Sequence, residues 1–118
     1  MKRIIFYSYP KCSTCRKALN WLDQNNINYQ LIDIMKEQPS REFLELAFIQ
    51  FSLDIKKIFN TRGKSYKLID IDILDLTKDK MIELLSNDGR LIKRPFLIIN
   101  ESKLLLGFNE SEYIANLK

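Results

Sequence analysis

The spacing of apolar residues changes period along this chain, and each change marks an element. Ile4, Ile5, Phe6 and Tyr7 form an unbroken apolar run within residues 3–8, the pattern of a strand buried on both faces, and Pro10 ends it. From Ser13 the period becomes helical. Cys15, Ala18, Leu19 and Leu22 fall at i, i+3, i+4 and i+7 on one face, up to a polar stop at Gln24-Asn25-Asn26. Ile27, Tyr29 and Leu31 then alternate with Asn28 and Gln30, predicting a second strand that reaches about Ile34. Strand, helix and strand in so short a stretch predict a right-handed parallel unit.

The middle of the chain has a different character. Ser40 is placed to cap a helix containing Phe43, Leu44, Ala47 and Phe48, and Asp54 to cap a shorter one with Ile55, Ile58 and Phe59, which Asn60-Thr61-Arg62-Gly63 stops. Residues 68–76 alternate at period two and read as a strand on pattern alone. Thr77 opens another helix with Met81, Ile82, Leu84 and Leu85; it closes at Asn87-Asp88-Gly89, where glycine suits a left-handed position after a helix end. Phe96–Ile99 and Lys103–Leu106 are two strands joined by Asn100-Glu101-Ser102, a hairpin length that makes them antiparallel. Asn109 with Glu112 forms a capping box for a last helix carrying Tyr113, Ile114 and Leu117. The predicted class is α/β: a four-stranded mixed sheet with a helical insert, residues 36–89, between an N-terminal βαβ unit and a C-terminal ββα unit. No repeat or flexible linker interrupts it, so one domain over residues 1–118 is expected, with the insert packed on the same body.

Composition narrows the chemistry. The 118 residues suffice for one core, and no run of some 18 apolar residues is present to span a membrane. The opening Met1–Tyr7 is followed by Tyr9-Pro10-Lys11 and lacks the long apolar region of a secretory signal. With no histidine, the chain builds neither a Ser-His-Asp nor a Cys-His centre. Its two cysteines sit three apart, as Cys12-Ser13-Thr14-Cys15, and a thiol pair at that spacing in a first strand-to-helix turn makes the predicted sheet a thioredoxin-like arrangement. Two thiolates are too few for a structural zinc site, so no metal is expected. The net charge of +4 is unevenly spread: residues 1–22 hold Lys2, Arg3, Lys11, Arg16 and Lys17 and no acid, while the rest holds 14 basic and 15 acidic residues. The bland reading of that cluster is a solvated basic face. The alternative is a field that favours thiolate over thiol and draws in anions. No long basic run or aromatic-basic interleaving points to direct nucleic-acid binding.

The cysteines divide the labour by position. A helix beginning at Ser13 or Thr14 puts Cys12 at its N-cap, facing unpaired N–H groups and the positive end of the dipole, which stabilises a thiolate nucleophile. Cys15 belongs to the apolar stripe and points inward. Cys12 is therefore expected to attack, and Cys15 to resolve the mixed disulfide by forming an internal one. The bland alternative makes Cys15 a core residue and Cys12 an incidental surface thiol.

Four motifs in order carry a resemblance to a known family: Tyr9-Pro10-Lys11-Cys12-Ser13-Thr14-Cys15-Arg16-Lys17-Ala18, Asn60-Thr61-Arg62, Ile92-Lys93-Arg94-Pro95-Phe96 and Leu106-Gly107-Phe108-Asn109-Glu110. Together they resemble the ArsC/Spx family of glutaredoxin-linked arsenate reductases, thiol reductase-like relatives and Spx-type redox regulators. The resemblance implies a thioredoxin-like fold with a helical insert, Cys12 as redox cysteine, Arg62 and Arg94 facing it, and a cis proline at Pro95 beside it. Lys11, Ser13, Thr14, Arg62 and Pro95 become the expected substrate-binding set, with Cys12, Cys15 and Arg94 catalytic. Two guanidinium groups there suit an oxyanion or a carboxylate-bearing thiol such as glutathione. The family's arsenate reductases resemble Cys-x-x-Ser and use a third arginine after the last strand. This chain has Cys15 and reads Leu106-Gly107-Phe108, with Lys103 the nearest basic residue, which resembles the thiol reductase-like members and the regulators more.

Two functions follow from the resemblance. One is a cytoplasmic thiol-disulfide oxidoreductase with no bound cofactor, a monomer acting on a small-molecule thiol or protein disulfide, a glutathione-mixed disulfide or arsenate, and re-reduced by glutathione or a thioredoxin/glutaredoxin system. The other is an Spx-like regulator whose Cys12–Cys15 disulfide switches binding to the RNA polymerase α subunit. The regulators carry a tail beyond the last helix, whereas this sequence ends at Lys118 just after it, which tilts the expectation toward the enzyme.

Overall fold

The computed structural model describes residues 2–118. Its β1 (Ile4–Ser8) lies inside the sheet because its side chains have apolar partners on both faces. It pairs in parallel with β2 (Gln30–Asp33) and antiparallel with β3 (Phe96–Ile99), which in turn pairs antiparallel with β4 (Lys103–Leu106), giving the order β2-β1-β3-β4. This is the mixed thioredoxin-like sheet that the element order predicts. The β3–β4 turn places Asn100 and Glu101 at φ of 51° and 58°, the two consecutive positive values of a tight hairpin.

Pleating sorts the core into two layers. Ile4, Phe6, Leu97, Ile99 and Leu105 face α1 (Ser13–Gln24) and α6 (Glu110–Leu117), where Ala18, Trp21, Leu22, Tyr113 and Leu117 complete the packing. Ile5, Tyr7, Phe96, Ile98 and Leu104 face the insert, meeting Leu44, Phe48, Ile58, Met81, Ile82 and Leu85. The insert is built from α2 (Arg41–Phe51), α3 (Ile55–Ile58), α4 (Lys64–Lys67) and α5 (Lys78–Asn87). Ser40 caps α2 by accepting from Phe43 N–H at 3.4 Å, and Thr77 caps α5 by accepting from Lys80 N–H at 3.2 Å. Asn109 accepts from Glu112 N–H at 3.1 Å at the start of α6.

Several local expectations change. Residues 68–76 form no strand and pair with none of the four: Asp72 supplies the backbone with a competing local bond. The Asp72 carboxylate accepts from Leu74 N–H at 3.0 Å and opens a short 3₁₀ turn at Ile73–Asp75. Only Ile73 of that stretch is buried, while Leu68, Ile71 and Leu74 stand in solvent. Asp54 occupies the N-cap of α3 without a side-chain cap bond, and Ile114 is about half exposed on α6. The second strand begins at Gln30, so Ile27 and Tyr29 pack against the core from the preceding loop. Gly89 does not take a left-handed conformation. Instead a side chain there would meet the Ile34 carbonyl oxygen at 2.3 Å, so glycine serves close backbone packing between the loop after β2 and the turn after α5.

Candidate redox site

The site grows from the loop between β1 and α1. After Ser8 the chain turns on a hydrogen bond from Cys12 N–H to the Tyr9 carbonyl at 3.0 Å, and Cys12, at φ −91° and ψ 116°, becomes the N-cap residue of α1. Its sulfur accepts the Cys15 backbone N–H at 3.3 Å, satisfying one of the donors a helix start leaves open. Cys12 is partly exposed, Cys15 is 1% exposed, and both are free thiols. The apolar stripe of α1 thus turns Cys15 into the core as its period predicts. Burial, and secondly the hydrogen bond of its thiol to Cys12, push Cys15 up to about 11; the Tyr9 backbone and the Ser8 hydroxyl act in the opposite sense. One sulfur meets solvent at a helix end while its neighbour holds its proton.

The β1–β3 register pairs Tyr7 with Phe96, so the Arg94–Pro95 segment comes to the same end of the sheet as the Ser8–Cys12 loop. The Arg94–Pro95 peptide bond is cis, as the resemblance implies. Gly107 N–H donates to the Pro95 carbonyl at 2.9 Å, tying that segment to the residue after β4, with Gly107 at φ +75°. Arg94 is half-buried and lays its guanidinium over the Tyr9 ring, 5.3 Å from the centroid.

Tyr9 divides two clefts. On one side lies an apolar cleft of about 400 Å³ lined by Pro10, Leu19, Leu31 and Ile32, together with Arg16 and Asp33. On the other lies a polar cleft of about 270 Å³ between Tyr9 and the insert, lined by Asn60, Gly63, Lys64, Ser65, Arg90 and Arg94. Lys11 and Ser13 are exposed and Thr14 half-buried on the loop and first turn around Cys12. Arg62 is exposed on the Asn60–Gly63 loop and is not among the residues that line these two clefts. The cations that do line the polar cleft with Arg94 are Lys64 and Arg90, which sequence reasoning passed over. The adjoining signals were present, a lysine directly after Gly63 and an arginine directly after Gly89, but nothing local says that the two loops meet.

Comparison with known proteins agrees with this geometry. The ArsC family model matches residues 7–116. The chain is 39% identical to the uncharacterized protein YusI of Bacillus subtilis strain 168, over 96% of this chain and 97% of that one. It is 33% identical to the regulatory protein MgsR of the same organism, covering 96% and 89%. It is 30% identical to the global transcriptional regulator Spx of Lactiplantibacillus plantarum, covering 92% and 82%. Among solved structures, one described as a possible arsenate reductase from Streptococcus mutans UA159 superposes with a TM-score of 0.81 at 39% identity, covering 90% of this chain and 91% of that one.

Proposed function

The chain belongs to the ArsC family, and from that premise we propose that it is a thiol-disulfide oxidoreductase in which Cys12 attacks and Cys15 resolves. The observation that carries the reading is the pairing of an N-cap sulfur at the surface with a buried thiol hydrogen-bonded to it. Cys12 attacks one sulfur of a substrate disulfide as its thiolate, forming a mixed disulfide and expelling the other half as a thiolate that takes up a proton. Cys15 then loses its proton and attacks the Cys12 sulfur, closing the Cys12–Cys15 disulfide and releasing the second substrate thiol. The substrate gains two electrons and the protein dithiol loses them. A thiol reductant, glutathione or a thioredoxin/glutaredoxin system, reverses the change in the protein. Arg94, packed on Tyr9 beside the redox loop, stabilises the anionic sulfur and the leaving thiolate. Substrates are a small-molecule or protein disulfide or a glutathione-mixed disulfide. Arsenate is the less favoured oxidant, because Leu106-Gly107-Phe108 supplies no third arginine. The reducing compartment this chemistry needs is the cytoplasm, and no described helix is long and apolar enough to cross a membrane.

Intact-mass analysis after incubation with glutathione disulfide tests the assignment. Cys15→Ser should accumulate a single adduct on Cys12, wild type should pass on to an internal disulfide with loss of two hydrogens, and Cys12→Ser should stay largely unmodified. Equal labelling of both variants would refute the division of labour.

A second reading is favoured by the relatives MgsR and Spx, both named as regulators. In it the same dithiol is a sensor whose oxidation changes binding to the RNA polymerase α subunit. Pull-down with that subunit under reducing and oxidising conditions decides; association that ignores the redox state, or its absence, leaves the enzyme reading alone.

A further inference from the structure

From the polar cleft beside Tyr9, we infer that Lys64 and Arg90 select an anionic substrate half, seating the carboxylates of a thiol whose sulfur is exchanged at Cys12. This inference rests on the thiol-disulfide reading and names its substrate class. The cleft collects three cations from two separate stretches of chain: Lys64 from the start of α4, and Arg90 and Arg94 from the segment between α5 and β3. Among the described residues only Arg90 has an acidic partner, Asp88, whose two oxygens accept from the guanidinium at 3.0 and 3.2 Å. That pair turns the guanidinium of the largely exposed Arg90 toward Asp88. Among the described residues Lys64 and Arg94 form no ion pair, so the cleft keeps an excess of positive charge.

The walls are held at their spacing by backbone bonds. Asn60 N–H donates to the Leu91 carbonyl at 2.8 Å, Lys93 N–H donates to the Ile58 carbonyl at 2.9 Å, and Phe59 bridges Ile92. These contacts join the stretch leading to Lys64 to the segment bearing Arg90 and Arg94, so the backbone that carries the cations is held in place before a ligand arrives. Asn60 and Ser65 add neutral hydrogen-bonding side chains to the lining. Tyr9 belongs to both this cleft and the loop that turns into Cys12, and therefore links the anion seat to the reacting sulfur. The apolar cleft on the other side of Tyr9 leaves room for an uncharged or apolar partner half. The favoured substrate is a mixed disulfide with a small carboxylate-bearing thiol on the Lys64 side.

The test compares three disulfides on the full chain: glutathione disulfide, each half of which bears two carboxylates, neutral bis(2-hydroxyethyl) disulfide, and cationic cystamine. Wild type should favour glutathione disulfide over cystamine, and added salt should shrink the preference. A Lys64→Glu/Arg90→Gln double variant should lose about ten-fold in kcat/KM for glutathione disulfide through KM, a loss of about 1.4 kcal/mol, while holding its rate with the neutral disulfide. An equal loss toward all three disulfides, or no loss toward glutathione disulfide, overturns the inference and leaves the redox reading standing. If wild type reacts with none of the three, the redox reading falls. Titration of S-methylglutathione into the Cys12→Ser protein then judges the cleft separately: amide shifts at Lys64 and Arg90 support it, and their absence removes it.

Discussion

The Cys15 backbone N–H points at the Cys12 sulfur from 3.3 Å, so the nucleophile and its resolving partner are joined within the first turn of a single helix. The same turn that presents one sulfur to solvent draws the other into the core.

The first consequence is a low reactivity of Cys15. With Cys15 pushed up to about 11, its thiolate is about one part in 3,000 at pH 7.5. In Cys12→Ser, where burial still acts on it, iodoacetamide should label Cys15 slowly at neutral pH and about ten-fold faster for each pH unit into the alkaline range. Rapid labelling of Cys15 at pH 7 by quantitative mass spectrometry would show that burial does not hold its proton.

Alkaline stability follows from the same burial. Cys15 and Tyr113 both have folded-state ionisation raised by burial, with Cys15 moving from 9.0 to about 11. Between those values the unfolded chain releases a proton that the folded chain retains, so unfolding becomes more favourable as pH rises. Urea midpoints should be flat up to about pH 9, then fall through about pH 11.

Tyr113 offers a separate test of the core. Its ring packs edge-on against Phe108 at 4.8 Å and Trp21 at 5.4 Å, while its buried hydroxyl has no hydrogen-bond partner. Tyr113→Phe keeps the packing and removes an unsatisfied group, so it should leave stability unchanged or raise it by about 1 kcal/mol. It should also soften the alkaline decline. Destabilisation of that size in thermal unfolding would mean that the hydroxyl makes a bond after all.

Two glycines should respond differently to alanine. At Gly89 the new Cβ would lie 2.3 Å from the Ile34 backbone oxygen, which cannot rotate away, and a loss of about 1–3 kcal/mol is expected. At Gly63 the nearest atom is the Asn60 side-chain nitrogen at 2.6 Å, and that side chain can move. Gly63→Ala should therefore cost clearly less in chemical denaturation.

The stretch over residues 68–76 gives a graded series. Ile73→Ala removes a buried side chain and should cost about 2–4 kcal/mol. Ile71→Ser and Leu74→Ser replace exposed groups and should stay within about 0.5 kcal/mol of wild type. A strand would make alternate positions equally sensitive, so a comparable loss at Ile71 and Ile73 would contradict the turn.

The sheet and both cysteine positions were legible because they depend on local pattern: an apolar run, a change to helical period at Ser13, and capping residues at Ser40, Thr77 and Asn109. The alternation from Leu68 to Leu76 misled because period two does not register the local turn that Asp72 closes on Leu74 N–H. The role of Gly89 was hidden since its neighbour, Ile34, is distant in sequence. The polar cleft was missed for the same reason: Lys64 and Arg90 meet through contacts between Asn60 and Leu91 and between Ile58 and Lys93, which no local spacing encodes. Arg62 closes the Asn60-Thr61-Arg62 motif in sequence and is exposed in the structure.

The Phe59–Ile92 bridge fastens the insert to the segment that leads into β3, so the insert becomes a lever on selectivity. The loop cradling Cys12 is set by β1 and α1, whereas one bank of the entrance is supplied by a segment sewn on from outside that unit. Exchanging residues 60–65 alone would then redirect which molecules are admitted while the reacting pair keeps its own reactivity.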